Sequence, residues 1–492
     1  MVAQVRKEKR TSQKRCACIR CRMLKLPCVS DPSNPDLPCA RCANTRSSIY
    51  SLSCHRVNLP DTPLFRVAMY NAPFYRKHHL VGNDYGDFRV PRVWTSHITK
   101  TLRALHHGGL LLNIKVRPFQ PPYEEGATDD RGIPGNAARP MYDIPWAIVD
   151  PEMVTRDLHA FTDHWIESYI KNLLKPSDDL VWPVYQEAAQ LMRTVRTLQR
   201  DNRHSPRFPR LTIIFSQNPL IRDTMRLWIG ARLADRGWRC FGSDDLGASR
   251  LPNHLRPPHW IPLPPYLDYQ LVAVVMNCYL LPLKKTVLRQ LFDAIKGKNP
   301  ADWYPIFLSC FVLLHSCEMT AVIIRKHAAK RKSPVRYIIM ELVKALNEAA
   351  RNIVAHFRHC CKDNRPFARG FDWSSPARED MAQLDLVQLA FMKRFVQAVD
   401  AREHIFTALR HTDHYEAPYW YVCQLFEPNW EPRSTLDASP ASDATYLAGT
   451  DFLVLDDGAK LLLGPYERPD IEEDSTKRPN WQPWTEFEDA GR

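Results

Sequence analysis

The sequence lacks the local motifs by which many enzymes are recognised. It contains no phosphate-binding glycine loop, no nucleophile elbow, no His-Glu-x2-His motif and no dinucleotide fingerprint. Isolated serine, histidine and aspartate residues are too common to indicate an active site. We therefore expect that the protein is not an enzyme. An enzyme with its site in the helical body is the alternative, and a pocket with converging titratable groups would reveal it.

Glycine is scarce, and coiled-coil repeats are missing. The 492 residues include 17 glycines against 40 prolines, which favours helices joined by stiff connections over a sheet with glycine turns. No heptad pattern is sustained over three repeats between residues 57 and 116. A zipper-type dimer is therefore not supported, and the oligomeric state stays open.

Apolar runs that could cross a membrane are nearly absent. No apolar signal peptide precedes the first cysteines. One run, Ile306 to Ile324, is long enough to span a bilayer, but it contains Glu318 and we find no second such span beside it. We expect this run to be a buried core helix, and we expect no membrane partner.

The cysteines are unevenly distributed and have the spacing of metal ligands. Two Cys-x2-Cys pairs are each followed by a third cysteine; the six are Cys18, Cys21, Cys28, Cys39, Cys42 and Cys54. Thiolates are soft ligands that suit tetrahedral zinc. Six thiols cannot complete two separate four-ligand sites unless two sulfurs are shared, so the pattern predicts two zinc ions bridged by two thiolates. Cys16 could compete with Cys18 but lacks the x2 spacing from Cys21, and the alternative for the whole cluster is a metal-free or disulfide-linked set.

The motif Cys-x2-Cys-Arg-x2-Lys-x2-Cys followed by a second Cys-x2-Cys resembles the fungal-type binuclear zinc cluster (Zn2Cys6) transcription factors. The matching residues are Cys18, Cys21, Arg22, Lys25, Cys28, Cys39 and Cys42. The resemblance implies that Cys18 and Cys39 bridge the two zinc ions. It also implies that a short helix reads a CGG-like triplet in double-stranded DNA, with Lys25 on the bases and Arg20 and Arg22 on phosphates. The sequence departs from the family at Leu24 and Pro27, where many members have basic residues, and in the long gap before Cys54.

Positive charge is concentrated around these cysteines. Residues 1–56 contain twelve lysines and arginines against three acidic residues, whereas the whole chain has a net charge of +13. A basic patch on a metal module is the electrostatic pattern expected of a protein that binds the phosphate backbone. The basic residues before Cys16 also fit a nuclear localisation signal, or a solvated tail without a role.

Apolar periodicity divides the remaining chain. We predict five regions: a disordered basic arm (1–15), the binuclear zinc cluster domain (16–56), a linker and irregular segment (57–149), a helical regulatory domain (150–432) and an acidic tail (433–492). In the regulatory domain, Asp150-Pro151 is a plausible helix cap and first turn. Helical periodicity follows from residue 154 and recurs in the segments 180–198, 220–236, 269–295, 303–327, 335–357 and 381–409. No segment between these helices clearly predicts a strand, so the expected fold class is a small zinc-stabilised module of two short helices and loops plus a large all-α domain.

Short motifs of the body resemble the regulatory region of a subset of the same fungal factors. They are Leu227-Trp228 to Leu246-Gly247, Pro262 to Gln270, Trp303 to Leu314, Ala355-His356-Phe357 and Pro366-Phe367. A cluster of His356, His359, Cys360 and Cys361 is a weaker candidate for a third metal site. His411 and His414 near Asp413 are weaker still.

The acidic tail contains thirteen acidic against six basic residues and mixes them with bulky apolar side chains. This composition is typical of activation segments that bind coactivators. The alternative is that Trp481 and Trp484 pack on the helical domain. Together, these features predict a nuclear, sequence-specific DNA-binding transcription regulator of the RNA polymerase II type, with Zn2+ as its metal. A zinc-stabilised protein-interaction module that does not bind DNA is the alternative.

Overall fold

The structure is a computed structural model of the chain. It describes residues 17–29, 37–43, 54, 56, 58–65, 93–106, 110–120, 146–204, 219–235, 238–241, 246, 261–330, 335–337, 339–361, 364–410, 412–428, 430, 433, 452–454 and 460–462. The predicted basic arm lies outside these residues, as does Cys16. So do His411 and most of the acidic tail.

The cysteine-rich segment forms two very short helices, α1 (Ile19–Met23) and α2 (Ala40–Ala43). Helix α1 begins after Cys18, whose sulfur accepts a hydrogen bond from the Cys21 backbone N–H at 3.4 Å. It ends at Leu24, and Lys25 then adopts a left-handed conformation with φ of 54°. A 3-10 helix, Leu59–Asp61, follows and packs against the helical body.

A five-stranded antiparallel sheet lies beside the helices, in contrast to the predicted all-α domain. Its strands are β1 (Lys100–His106), β2 (Leu110–Pro118), β3 (Trp146–Ile148), β4 (Arg239–Phe241) and β5 (Ile261–Pro262), in the order β3-β2-β1-β4-β5. The all-α expectation for residues 150–432 is therefore wrong, because β4 and β5 lie in this range; β1, β2 and β3 lie in the segment 57–149, which was predicted to be a linker and irregular segment. The physical reason is an alternating pattern: every second residue of β1 from Leu102 to His106 is buried against the helices, as are Ile114 and Val116 of β2.

The largely helical body begins as predicted. Helix α3 (Pro151–Leu173) is capped by Asp150, whose Oδ1 accepts the Met153 N–H at 2.9 Å, and proline occupies its first turn. Helices α4 (Val181–His204) and α5 (Pro219–Asp235) follow and pack on α3.

The predicted helix around residues 269–295 is interrupted by a π-helical turn. Helix α6 (Pro265–Ala273) leads through Val274–Leu280 into α7 (Leu281–Gly297). The turn approaches α5 so closely that a Cβ on Gly230 would lie 2.7 Å from the Leu280 side chain and 2.8 Å from the Tyr279 ring. Glycine at this position therefore permits the contact between the two elements.

Helix α8 (Trp303–Lys330) is the central core helix, as predicted for its long apolar run. The apolar window within 300–326 is 89% buried inside the body. The expectation that no second apolar span exists is wrong, because Gln270–Gly297 is also long and apolar enough to cross a membrane by length and composition; its window is 56% buried. Phe307 of α8 lies among aromatic rings from several elements.

The helices after residue 335 are shorter and more interrupted than the apolar periodicity predicts. Helix α9 (Met340–Cys360) starts later than expected, and the segment 381–409 comprises the end of α10 (Pro376–Met381), α11 (Leu386–Asp400) and α12 (Glu403–Leu409). A capping box formed by Asp385 and Gln388 starts α11. Within the tail, β6 (Phe452–Val454) and β7 (Lys460–Leu462) pair in antiparallel fashion.

Candidate metal centre

The six predicted cysteine ligands come together around one buried centre. The sulfur atoms of Cys18, Cys21, Cys39 and Cys42 all lie within 4.8 Å of one another. The Sγ–Sγ distances are 4.0 Å for Cys18–Cys39, 3.6 Å for Cys18–Cys42 and 3.6 Å for Cys21–Cys39. Cys28 and Cys54 pack against this group.

Backbone hydrogen bonds give the centre two matching halves. The Cys18 N–H donates to the Cys28 sulfur at 3.4 Å, and the Cys39 N–H donates to the Cys54 sulfur at 3.2 Å. The first cysteine of each half thus contacts the third cysteine of the same half. Each short helix, α1 and α2, supplies the second cysteine, because one helical turn places residues three apart on the same side.

These sulfur positions fit a tetrahedral thiolate site. With Zn–S bonds of about 2.3 Å, two sulfurs on one tetrahedral ion are separated by about 3.8 Å. The observed separations of 3.6 to 4.0 Å lie on both sides of that value. The four cysteines can therefore hold a metal ion.

Burial and mutual hydrogen bonds shift the pKa values of the thiols in this centre in different directions. Burial raises the pKa of Cys18 and of Cys21, and burial with a hydrogen bond to Cys39 raises the pKa of Cys42 to about 12. Burial also acts to raise the pKa of Cys39, but hydrogen bonds from the Cys42 backbone and from neighbouring thiols outweigh it and lower this pKa to about 6. Because metal binding requires thiolates, a cation must displace several protons here.

The three predicted DNA-contacting residues have different surroundings. Lys25 is exposed immediately after α1. Arg20 is partly exposed and donates to the Arg41 carbonyl at 3.1 Å, which connects α1 to α2. Arg22 instead faces the helical body, where its guanidinium lies 3.2 Å from His356 Nε2 and 5.3 Å from the centroid of the Phe292 ring.

The contacts of Arg22 also determine whether the candidate third metal site can form. His356 Nδ1 lies 2.7 Å from the Asn352 carbonyl oxygen, and Nε2 faces the Arg22 cation. Both ring nitrogens are thus occupied, so His356, His359, Cys360 and Cys361 do not form a metal site in the described structure. His414 lies 2.7 Å from Arg336 and is likewise placed next to a cation.

Sequence reasoning did not identify the residues that receive Arg22. Phe292 of α7, His356 of α9 and Asn58 before the 3-10 helix surround its guanidinium, and Asn58 Oδ1 accepts from it at 3.4 Å. His356 is 334 positions away in the chain. No local pattern connects residues so distant, and the apolar Leu24 after α1 is the one signal that this end of the helix meets protein.

Comparison with known proteins places the chain among transcription factors. The model of the KpeA transcription factor family matches residues 74–425. The chain is also 22% identical over 432 residues to the satratoxin biosynthesis SC3 cluster transcription factor SAT20 of Stachybotrys chartarum, covering 84% of this chain. These matches confirm the resemblance to fungal transcription factors. The chain spans 55% of the length of this curated relative, and no solved structure matches.

Proposed function

The chain belongs to the KpeA transcription factor family and is a transcription regulator, and we propose that it acts by binding specific DNA sequences through a binuclear zinc cluster. The observation that supports this most is the convergence of the predicted cysteines at tetrahedral spacing. The family match itself begins after the last of these cysteines, so the DNA-binding role depends on the metal centre and its charge.

The proposed cofactor is a pair of zinc ions. Cys18 and Cys39 would bridge them. Their sulfurs lie 4.0 Å apart, and each also lies 3.6 Å from the second cysteine of the opposite half, Cys42 and Cys21 respectively. Cys21 and Cys28 would complete one ion, and Cys42 and Cys54 the other; these four are not shared. When bound, the metal would supply folding energy to a segment with almost no apolar core of its own.

The proposed partner is double-stranded DNA with a CGG-like triplet. Lys25 is exposed at the end of α1, where an ammonium group can approach guanine O6 and N7. Arg20 and Arg22 are the proposed phosphate contacts, and the excess of basic residues in 1–56 favours a phosphate backbone. Because DNA is the proposed binding partner, the proposed location of the protein is the nucleus.

The helical body is proposed to be regulatory and not enzymatic. Its buried polar groups form structural contacts, such as Tyr185 with His315 at 2.8 Å and Tyr337 with the Asp413 carbonyl at 2.9 Å. The acidic tail is the proposed contact for coactivators, and its composition is the support for that role.

The test is a titration of the full zinc-loaded chain with CGG-containing and scrambled duplexes at two salt concentrations. We expect tighter binding to the CGG duplex and a steep loss of affinity for both duplexes as salt rises, because bound phosphates release counterions. A chain that binds zinc but neither duplex would favour the alternative, a zinc-stabilised module for protein partners. Equal affinity for both duplexes would remove the sequence-specific part of the proposal.

A further inference from the structure

The proposed DNA-reading helix lies against the regulatory body instead of standing free. Ile19, Arg22 and Met23 of α1 are three and four positions apart and therefore share one face. Ile19 is 2% and Met23 5% exposed, and both belong to the same cluster of buried apolar side chains as the helical body. This face of α1 is thus part of a continuous core that extends into the body.

Arg22 has a specific receiving site on the body. Because the Asn352 carbonyl can only accept, His356 Nδ1 is its donor, which leaves the lone pair on Nε2 to accept from the Arg22 guanidinium at 3.2 Å. The Phe292 ring lies below the same guanidinium at 5.3 Å and packs edge-on against the His356 ring at 6.1 Å. A hydrogen bond and a cation–π contact therefore hold the Arg22 guanidinium against the body.

Leu24, which directly follows α1, also faces the body. It lines a cavity of about 180 Å³ together with Ile295, Trp303 and Ile306. An apolar side chain suits a position that faces α7 and α8. A basic side chain there would instead lie near a second cation, Lys298, which also lines the cavity.

The connection between module and body strengthens the contact. Leu59 and Leu64 are buried in the core of the body, and Asn352 Nδ2 donates to Thr62 Oγ1 at 3.2 Å. The 3-10 helix Leu59–Asp61 packs on α7, the helix that contains Phe292. The chain that leaves the last zinc ligand is thus fixed on the surface that receives Arg22.

We propose that this surface of the body, defined by Phe292, Ile295 and His356, is an intramolecular docking surface for α1 that lowers the affinity of the full chain for DNA. The inference rests on the proposed function, because it assigns Arg22 to DNA in the released state. While α1 is docked, Arg22 and Leu24 face protein, and only the released fraction of molecules has the whole reading face available. The apparent dissociation constant rises as that fraction falls.

The experiment compares the full, zinc-loaded chain with Phe292→Ala and with Phe241→Ala as a matched control. Phe241 lies under Arg103 at 5.1 Å, so the control removes a similar arginine–phenylalanine contact from the sheet. We expect Phe292→Ala to bind the CGG duplex roughly tenfold more tightly, the change for one desolvated cation–π contact. Phe241→Ala should bind like the unaltered chain. Neither substitution adds charge, so a direct effect on DNA phosphates is avoided.

A second variant and an exchange measurement distinguish a loss of docking from a loss of folding. Asn58→Ala removes a second acceptor for Arg22 without altering the core of the body, and it should also tighten DNA binding, by less. Amide exchange in α1 should accelerate in Phe292→Ala and stay unchanged in Phe241→Ala, while α8 remains protected in both and shows that the body is folded.

Equal or weaker DNA binding by both Phe292→Ala and Asn58→Ala would overturn the docking proposal and leave the proposed function intact. Failure of all variants to bind either duplex would instead overturn the proposed function, and the docking proposal with it. Faster exchange of α1 without a change in affinity would show docking that has no effect on DNA binding, which also contradicts the proposal.

Discussion

The cysteine-rich module, residues 17–54, and the helical body bury different kinds of side chain. Among the described residues in 17–29 and 37–43, the buried side chains are three thiols and the two apolar residues of α1, Ile19 and Met23. In α8, by contrast, Phe307 and its neighbours form a continuous aromatic and aliphatic layer. Both α1 and α2 are also far shorter than an isolated stable helix, whereas α8 has 28 residues. The body therefore folds on apolar burial, and we propose that the cysteine-rich module depends on a metal.

The largest expected difference between module and body comes from removing one thiol from each of them. Cys18→Ser should abolish zinc binding, since Cys18 is a proposed bridge, and structural zinc contributes about 10–16 kcal/mol in small zinc modules. Exchange protection in residues 17–43 should be lost while that of α8 is kept. Cys317→Ser is the matched control, because Cys317 is fully buried in the body. Zinc analysis after gel filtration is the measurement, and retention of zinc by Cys18→Ser would contradict the account.

The corresponding substitution in the body removes a buried aromatic ring. Phe307 is 0% exposed and lies 5.3 Å from the rings of Phe367 and Phe395. Phe307→Ala should lower the free energy of unfolding by about 3–5 kcal/mol, since it removes a large buried ring and leaves a cavity. Urea unfolding followed by circular dichroism measures it. Leu386→Ala, at a site 84% exposed, should stay within about 0.5 kcal/mol of the unaltered chain. Similar losses in both variants would refute the assigned core.

A smaller effect separates DNA recognition from folding. Lys25→Ala should weaken binding to the CGG duplex by about 1–3 kcal/mol, the value of one good base contact, and leave unfolding of the body unchanged. Lys285 is an exposed lysine of α7, and Lys285→Ala is the control of equal charge. Duplex titration by fluorescence anisotropy gives both affinities. Equal losses on specific and scrambled duplexes would make Lys25 a phosphate contact.

The smallest expected effect concerns the start of the body. Asp150→Ala removes the acceptor for the Met153 N–H and should cost about 1 kcal/mol of stability, whereas Asp150→Asn keeps a capping oxygen and should cost less. Zinc content and DNA affinity should not change in either variant. Thermal unfolding is the measurement, and an equal loss in the two variants would show that the cap does not act through this hydrogen bond.

The convergence of the cysteines could be predicted because their spacing reflects local geometry. Cys18 and Cys21 are held by one helical turn, so their distance follows from their separation in the chain. The same reasoning located most helices of the body, where apolar periodicity is long enough to be distinctive. Asp150 and Pro151 likewise define a helix start through local hydrogen bonding and a fixed φ.

The strands were missed for two reasons. Strands β3, β4 and β5 are two or three residues long, too short for a period of two to be recognised. Strands β1 and β2 do alternate, for example in Leu112, Ile114 and Val116, but the alternation lies in a segment that also suited a linker. The sequence thus contained the signal for these two strands, although proline-rich neighbours obscured it.

The docking of α1 was beyond local reasoning altogether. Arg22 and His356 approach each other only because the whole body folds between them. In the sequence, Arg22 matched a DNA-contacting position and His356 a weak metal candidate. Their contact changes the interpretation of both residues, and it depends on tertiary structure that periodicity and motif spacing do not contain.

The most direct test of the central claim is the number of zinc ions bound by the intact chain, measured by native mass spectrometry before and after a chelator. The account predicts two zinc ions per chain, both removed together with duplex binding, while the helical signal of the body persists. One zinc ion or none, or a body that unfolds when the metal is removed, would contradict the view that the two parts are stabilised by different chemistry.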